Sequence, residues 1–182
     1  MHGVRRIQRG RLVDKIWLKH YPKGVPAEID VNDYASIREV FTESVGRFAD
    51  RPAYSCMGKT ITFRELDALS VAFGAYLQMN GCAKGTRVAL MMPNILQYPV
   101  CLFGTLRAGC TVVNVNPLYT ARELEHQLKD SGAAAIVIFE NAASTLQQVL
   151  AHTSIKHIVV TGIGDLLGFP KGALTNFVIR KV

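Results

Sequence analysis

The stretch from Val88 to Ile138 decides the fold class. It reads VALMMPN at 88–94, ILQYPVCLFGTLRAG at 95–109, CTVVNVNPLYT at 110–120, ARELEHQLKDSGAA at 121–134 and AIVI at 135–138. Short aliphatic or β-branched runs alternate with longer runs whose apolar residues recur at helical spacing, which predicts strand, helix, strand, helix, strand. Such alternation is typical of βαβ crossovers. We therefore predict an α/β fold with a mostly parallel sheet and helices on both of its faces.

Three predicted helices begin with the same sequence motif, two of them before this stretch and one within it. Ser36-Ile-Arg-Glu39, Thr62-Phe-Arg-Glu65 and Thr120-Ala-Arg-Glu123 each fit the S/T-x-x-E capping box, in which the hydroxyl and the glutamate satisfy each other's backbone amides. Two β-prone runs around Met57-Gly58-Lys59 predict a hairpin between the first two helices. The second helix is expected to end at Asn80-Gly81, a pair typical of helix C-termini.

Several further elements complete the prediction. Strands are expected at 87–92, 111–115, 136–139 and 157–161, and a helix at 142–150. The strand at 111–115 is almost entirely apolar, which predicts that both of its faces are covered. The last predicted helix, 173–182, has no C-cap, and a chain that stops within a helix suggests that a continuation is missing.

Pro99 conflicts with the helix predicted after Asn94. Proline lacks an amide and crowds the preceding turn, so either the helix kinks at Pro99 or its regular part begins near that residue. Asn94 is a natural N-cap, with contact to a ligand as the alternative interpretation. Gly104 and Ala108, one turn apart, give this helix a small-residue face suited to close packing.

Composition and charge exclude several classes of protein. Of 182 residues, 49% are apolar and 19% are charged, which indicates a globular domain. The net charge is +7, yet residues 1–23 alone hold seven basic residues against one acidic residue. The charge therefore belongs to a tail, and neither a nucleic-acid-binding groove nor a membrane-spanning segment is predicted. We interpret residues 1–14 as a basic N-terminal extension, with a mitochondrial transit peptide as the less favoured alternative.

Residues that could carry chemistry are sparse. Neither G-x-G-x-x-G nor G-x-x-x-x-G-K-[ST] occurs, and Gly162-Ile-Gly164 is interpreted as a loop after a strand. The histidines at 126, 152 and 157 have no second ligand cluster, so surface or packing roles are favoured over metal ligation. The serines fall at caps or loops, outside any nucleophile elbow. The four cysteines, at 56, 82, 101 and 110, lack metal-ligand spacing and are predicted to be buried, reduced thiols of a cytosolic protein.

Asn114-Val-Asn116-Pro117 is the most site-like group in the sequence. Polar residues at the carboxyl end of a buried parallel strand lie where open α/β sheets bind ligands. The alternative, which we favour, is that Asn116-Pro117 only builds the turn into the next helix.

The run MMPNILQYPVCLFGTLRAGCTVVNVNPLYTARELEHQLKDSGAAAIVI resembles bacterial long-chain fatty-acid–CoA ligases of the adenylate-forming, AMP-binding superfamily. ITFRELDALSVAFGAYLQ is similar to the first short motif of that superfamily, and LRAGCTVVNVNP to the second. WLKHYPKGVPAEID resembles the start of the fatty-acid ligases specifically. The resemblance covers about 15–182, which we therefore interpret as a partial N-terminal AMP-binding-type domain.

The resemblance implies a two-step reaction in the full-length family. A fatty-acid carboxylate attacks the α-phosphate of Mg-ATP to give an acyl-adenylate, and the thiol of CoA then displaces AMP. The family's ATP-binding, magnesium-binding and catalytic segments match no position in this chain, so no catalytic, cofactor-binding or metal-binding residue is assigned. We expect the chain alone to bind no cofactor and to be inactive. The family also implies a cytoplasmic protein, with peripheral docking at the inner face of the cell membrane as a further expectation.

Three other hypotheses stay open from the sequence. The chain could belong to a ligase for another acid, such as an aryl acid, because most of the acyl pocket lies outside it. It could instead be a non-catalytic α/β binding module that docks on a membrane through its basic tail. A nicotinamide-binding Rossmann domain is disfavoured by the missing glycine fingerprint.

Overall fold

Residues 14–181, which the computed structural model describes, contain six α-helices and six β-strands. The strands are β1 Pro52–Cys56, β2 Lys59–Thr62, β3 Arg87–Met91, β4 Thr111–Val115, β5 Ala135–Phe139 and β6 His157–Thr161. The helices are α1 Ile37–Phe48, α2 Phe63–Met79, α3 Gln97–Arg107, α4 Ala121–Ser131, α5 Ala143–Val149 and α6 Lys171–Ile179. Short 3-10 turns at Glu140–Ala142 and Leu150–His152 flank α5.

The four strands β3 to β6 form one parallel sheet in the order β4-β3-β5-β6. Val88 of β3 lies opposite Val112 of β4 on one side and Ala135 of β5 on the other. Side chains alternate along β3, so that Val88 and Leu90 pack with α2 and α3 while the neighbouring positions pack with α4 and α5. The predicted α/β architecture, with helices on both faces of a parallel sheet, is confirmed.

The predicted caps and turns are also present. Thr62 and Thr120 each form a complete capping box, with Glu65 and Glu123 respectively, and the Ser36 hydroxyl accepts from the Glu39 amide. β1 and β2 pair as the predicted antiparallel hairpin. Its turn places Met57 at φ 48° and Gly58 at φ 76°, the left-handed pair that matches the twist of a two-residue hairpin.

The start of α3 differs from the prediction that Asn94 caps it. The helix begins at Gln97, with Leu96 at the N-cap position and no side-chain cap, so that prediction was wrong. Pro99 then lies in the first turn, where the missing amide would have no helical partner in any case. The alternative that the regular helix begins near Pro99 is the correct one.

Two other local predictions hold only in part. β4 is an edge strand of the sheet in residues 14–181; Val112 and Val113 pack against the helical layers on its two faces, but they are only partly buried, and among its five residues only Val115 is fully buried. The last helix spans Lys171–Ile179 and does not continue to 182; Arg180 is its C-cap, and the Lys181 amide donates to the Val178 carbonyl in a closing turn. Val182 lies outside the described residues.

The chain divides into two compact units, 1–35 and 36–182. The described part of the first unit holds a short 3-10 helix, Ile16–His20, and an ion pair between Lys15 and Glu28. The predicted basic extension, 1–14, lies outside the described residues except for Asp14. Within the described range, no helix combines the length and apolar character needed to cross a membrane.

Candidate functional site

The carboxyl edge of the parallel sheet is the position where ligands bind in open α/β folds. The strand order places the change in winding direction between β3 and β5, because β3 leads to β4 on one side and β5 leads to β6 on the other. A crevice at such a point normally receives the ligand. The polar side chains that follow the four strands are therefore the candidates for contact with a ligand.

Asn114, near the end of β4, is held by two neighbouring helices. Its Oδ1 accepts a hydrogen bond of 2.8 Å from the Tyr98 hydroxyl of α3. Its backbone carbonyl accepts one of 2.8 Å from Nε2 of Gln127 on α4. Asn114 thus ties the edge strand to helices on opposite faces of the sheet, and this role was not predicted.

Asn116 has a local function in the turn after β4. Its Oδ1 accepts a hydrogen bond of 3.0 Å from the Leu118 amide, two residues ahead, as expected for an Asx turn. The structure therefore supports the favoured interpretation of Asn116 as a turn residue.

Asn94 lies exposed on a cleft between the β1–β2 hairpin and the start of α3. The cleft has a volume of about 260 Å³, and its walls are Tyr54, Ser55 and Cys56 on one side and residues 94–96, 98 and 99 on the other. Tyr98 lines this cleft and also bonds Asn114. Tyr98 thus links Asn114 to the cleft that Asn94 lines, and the sequence analysis did not identify this tyrosine.

A second polar network joins α3 to the end of β6. The buried side chain of Gln97 donates from Nε2 to the Gly162 carbonyl at 2.7 Å and to Thr161 Oγ1 at 3.2 Å. Asp165 Oδ2 accepts from the Thr161 hydroxyl at 2.9 Å and from the Gly162 amide at 2.8 Å. These bonds occupy the Gly162–Gly164 segment, which was predicted to be a loop and not a phosphate-binding motif.

Glu140 follows β5 directly and is mostly buried. Its Oε2 accepts a hydrogen bond of 2.8 Å from Arg180 Nε, beyond the end of α6. Its Oε1 is buried and has no hydrogen-bond partner among residues 14–181. Glu140 was missed by sequence reasoning because its ion-pair partner lies 40 residues away.

The histidines and cysteines do not form a reactive centre in the described part of the chain. His126 is exposed, and His152 Nδ1 lies 3.5 Å from Glu125 Oε2 on the surface of α4. All four cysteines are free thiols, as predicted, and Cys82, Cys101 and Cys110 are buried. The prediction of burial was wrong for Cys56, which is half-buried because it lies on the β1–β2 hairpin beside an open cleft. Burial raises the pKa of the Cys101 thiol to about 12, so this thiol stays protonated and is a poor nucleophile at neutral pH.

The acidic side chains of the described residues do not fit a magnesium site. Residues 14–181 contain no group of three or more histidine, cysteine, aspartate or glutamate side chains arranged for a metal ion. Asp165 uses one carboxylate oxygen on Thr161 and Gly162 and the other on Asn176 Nδ2, at 2.8 Å. Both carboxylate oxygens of Asp165 therefore have protein partners, and the residue connects the loop after β6 to α6. The carboxylate is not free to bind magnesium.

Comparison with known proteins identifies strong similarity to one group. The family model described as AMP-binding enzyme matches residues 41–180. A long-chain-fatty-acid--CoA ligase of Yersinia pestis is 57% identical over 171 residues, which cover 93% of this chain and 30% of that protein. The corresponding ligase of Haemophilus influenzae is 54% identical over 171 residues, with the same two shares. The chain thus spans about a third of the length of these curated relatives.

Solved structures show the same fold at lower identity. A long-chain-fatty-acid-CoA ligase from Archaeoglobus fulgidus superposes with a TM-score of 0.66 at 23% identity. The match covers 78% of this chain and 29% of that structure. At this level of identity the similarity concerns the fold alone, and it agrees with the parallel sheet described above.

Proposed function

The chain belongs to the family of AMP-binding enzymes, and on that basis we propose that it forms the N-terminal portion of a long-chain fatty-acid–CoA ligase. The observation that carries this proposal is the 57% identity to a curated ligase of that name over 93% of the chain. In the complete enzyme, a fatty-acid oxygen would attack the α-phosphorus of ATP with loss of pyrophosphate. The CoA sulfur would then attack the acyl carbon with loss of AMP.

The role that the geometry supports for this portion is to position the carboxyl edge of the sheet. Tyr98, Asn114 and Gln127 join β4 to the helices on both faces. Gln97 and Asp165 join the loop after β6 to α3. Adenylyl transfer depends on cations and amide donors placed around developing charge, whereas Gln97 Nε2 and both carboxylate oxygens of Asp165 are bonded to other residues of the chain. We therefore expect the 182-residue chain alone to be inactive.

A chimeric enzyme tests this proposal. The segment of the Yersinia pestis ligase that matches this chain would be replaced by the 171 matching residues from this chain. We expect the chimera to form palmitoyl-CoA and pyrophosphate from palmitate, ATP and CoA. A folded chimera without activity would contradict the proposal.

The isolated chain provides the complementary measurement. We expect no palmitate-dependent exchange of pyrophosphate into ATP when the 182-residue polypeptide is assayed alone. Measurable exchange would show that the chain itself holds catalytic groups. Cytoplasmic location stays a prediction. Docking on a membrane through the basic N-terminal residues also stays a prediction, and residues 1–13 of that segment are outside the described part of the chain.

A further inference from the structure

We propose that one side of α6 is a docking surface for the polypeptide that forms the rest of the ligase, an inference that rests on the proposed function. We call this side the outward face, and it consists of Leu174, Phe177 and Val178. These side chains are 65%, 62% and 49% exposed. Phe169, just before the helix, is 92% exposed.

α6 exposes apolar side chains where an ordinary surface helix exposes polar ones. A surface helix normally buries an apolar stripe and exposes its polar side chains. In α6, Gly172 is the one buried residue among Lys171–Ile179. Because apolar side chains gain little from facing water, a clustered apolar side of this kind indicates an interaction surface.

Polar contacts hold α6 in this orientation. Asn176 Oδ1 accepts a hydrogen bond of 2.7 Å from the Gly164 amide, and its Nδ2 donates to Asp165 Oδ1 at 2.8 Å. Lys171 donates to the Met57 carbonyl in the hairpin turn, and Arg180 pairs with Glu140. Lys171, Asn176 and Arg180 thus tie α6 to the hairpin, to the loop after β6 and to the residue that follows β5.

Close backbone packing restricts the helix further. A Cβ atom built on Gly172 would lie 2.3 Å from the Gly164 carbonyl oxygen, so only glycine allows this approach. A helix of nine residues is marginal on its own. The fold therefore stabilises α6 through its polar side and leaves the apolar side available to a partner.

The length of the relatives indicates which polypeptide covers the outward face. The matched region is 30% of the Yersinia pestis ligase, so 70% of that protein lies outside it. A partner that belongs to the same enzyme would cover the outward face permanently. Such obligate interfaces are usually apolar, as this face is.

A lipid surface is a poorer fit to the charges around the outward face. Docking to anionic lipid relies on cationic side chains that are free to approach the headgroups. Lys171 and Arg180 already have protein partners, as described above, and the Lys181 ammonium lies over the Phe177 ring at 5.8 Å from its centroid. Three of the basic groups near this face are thus engaged within the chain.

Co-expression tests the docking surface directly. The 182-residue chain, carrying an affinity tag, would be produced together with the part of the Yersinia pestis ligase that its match does not cover. We expect the two polypeptides to copurify. Phe177→Asp should reduce the recovered partner by at least about tenfold, since a carboxylate would be placed in an apolar interface. The thermal midpoint of the variant chain alone should stay that of the parent, because Phe177 is already 62% exposed.

Met79→Asp is the matched control, because Met79 is an apolar side chain at the end of α2 that is 86% exposed. We expect this variant to copurify like the parent. The inference would be overturned if the parent chain did not bind, or if Phe177→Asp bound as well as the parent.

A dimer of the chain that Phe177→Asp abolishes would assign the face to a second copy. Flotation with phosphatidylglycerol vesicles that only Phe177→Asp abolishes would assign it to lipid. Either result, with partner binding unchanged, also overturns the inference.

The two proposals fail separately in these experiments. An active single-chain chimera whose activity and stability are unaffected by Phe177→Asp would support the ligase function and contradict the docking surface. A chimera that is inactive, combined with copurification sensitive to Phe177→Asp, would contradict the ligase function and retain the surface.

Discussion

Gly104 shows how a single residue permits the packing of two helices. A Cβ atom at this position would lie 2.8 Å from the Ser70 carbonyl oxygen and 2.8 Å from Phe73 Cδ1, both on α2. Overpacking of this kind costs about 1–3 kcal/mol, and the better helix propensity of alanine returns about 1 kcal/mol. We expect Gly104→Ala to lower the free energy of unfolding by up to about 2 kcal/mol, measured by urea denaturation.

Gly46 offers the control for this substitution. It lies within α1, and a Cβ atom there would meet nothing within 4 Å. Gly46→Ala should therefore raise the free energy of unfolding by up to about 1 kcal/mol through helix propensity alone. Equal effects at positions 46 and 104 would show that the contact between α2 and α3 does not depend on the missing side chain.

The cysteines lead to a prediction about reactivity. Burial raises the pKa of Cys82, Cys101 and Cys110, and that of Cys101 to about 12. Because only the thiolate reacts with iodoacetamide, the native chain at pH 8 should be alkylated first at Cys56, which is half-buried. Mass spectrometry of the alkylated peptides gives the order. Modification of Cys101 at the rate of Cys56 would contradict the buried position of its thiol.

The same thiol predicts the direction of a pH effect on stability. Between the ordinary thiol pKa of 9.0 and the folded value of about 12, the unfolded chain loses a proton that the folded chain keeps. The contribution of Cys101 is therefore fully present below pH 9 and is lost as the pH rises toward 12. Urea midpoints measured from pH 8 to pH 11 should fall, and Cys101→Ala should make that fall shallower.

At the scale of elements, the caps are where sequence and structure agree most closely. Thr120 accepts from the Glu123 amide, while its own amide donates to the Glu123 carboxylate at 2.8 Å. We expect Thr120→Ala to lower the free energy of unfolding by about 1 kcal/mol, because the first turn of α4 loses its side-chain acceptor. Thr42→Ala, which removes an exposed hydroxyl within α1, should change it by less than about 0.5 kcal/mol.

The pH dependence of this cap has a definite sign. Hydrogen bonds from Thr120 lower the pKa of Glu123 below its ordinary value of 4.5. The stabilising contribution is therefore present above the ordinary pKa of glutamate and is lost as the pH falls below it. The difference in unfolding free energy between the parent and Thr120→Ala should shrink on acidification from pH 6 to pH 3. A difference that is constant over this range would contradict the hydrogen bond from the Thr120 hydroxyl to the Glu123 carboxylate, which is the titrating contact that the substitution removes.

Local signals predicted the elements, whereas relations between distant residues were not predictable. Hydroxyl-x-x-Glu spacing and the Met57-Gly58 turn act within a few residues, so they could be read from the sequence. The edge position of β4 depends on strand order, which its apolar composition does not encode. The bond between Tyr98 and Asn114 and the bond between Gln97 and Gly162 span 16 and 65 residues. For that reason Asn114 was noted as a strand-end residue, but its bond to Tyr98 was missed.

At the scale of the molecule, burial decreases from the centre of the sheet toward α6. Val88, Ala89, Leu90 and Met91 of β3 are at most 1% exposed, and β5 is similarly enclosed. Both strands have paired neighbours on each side, since they occupy the two central positions. The outward face of α6 lies at the other extreme. The central strands are thus the most enclosed part of the described residues, and the outward face of α6 is one of the parts exposed to solvent.

Hydrogen exchange should follow this distribution. Amides exchange through local opening, whose free energy is highest where apolar burial is greatest and lowest where it is small. We expect peptides from β3 and β5 to exchange most slowly and those from α6 to exchange among the fastest in residues 36–181, as measured by mass spectrometry. The comparison helix is α4, which has a similar length but fully buries Leu124 and Leu128 and should therefore exchange more slowly than α6. Binding of the remaining ligase polypeptide should slow exchange in α6 and leave β3 unchanged. Equal protection of α6 and α4 in the isolated chain would mean that the polar contacts of Asn176, Lys171 and Arg180 suffice without a partner.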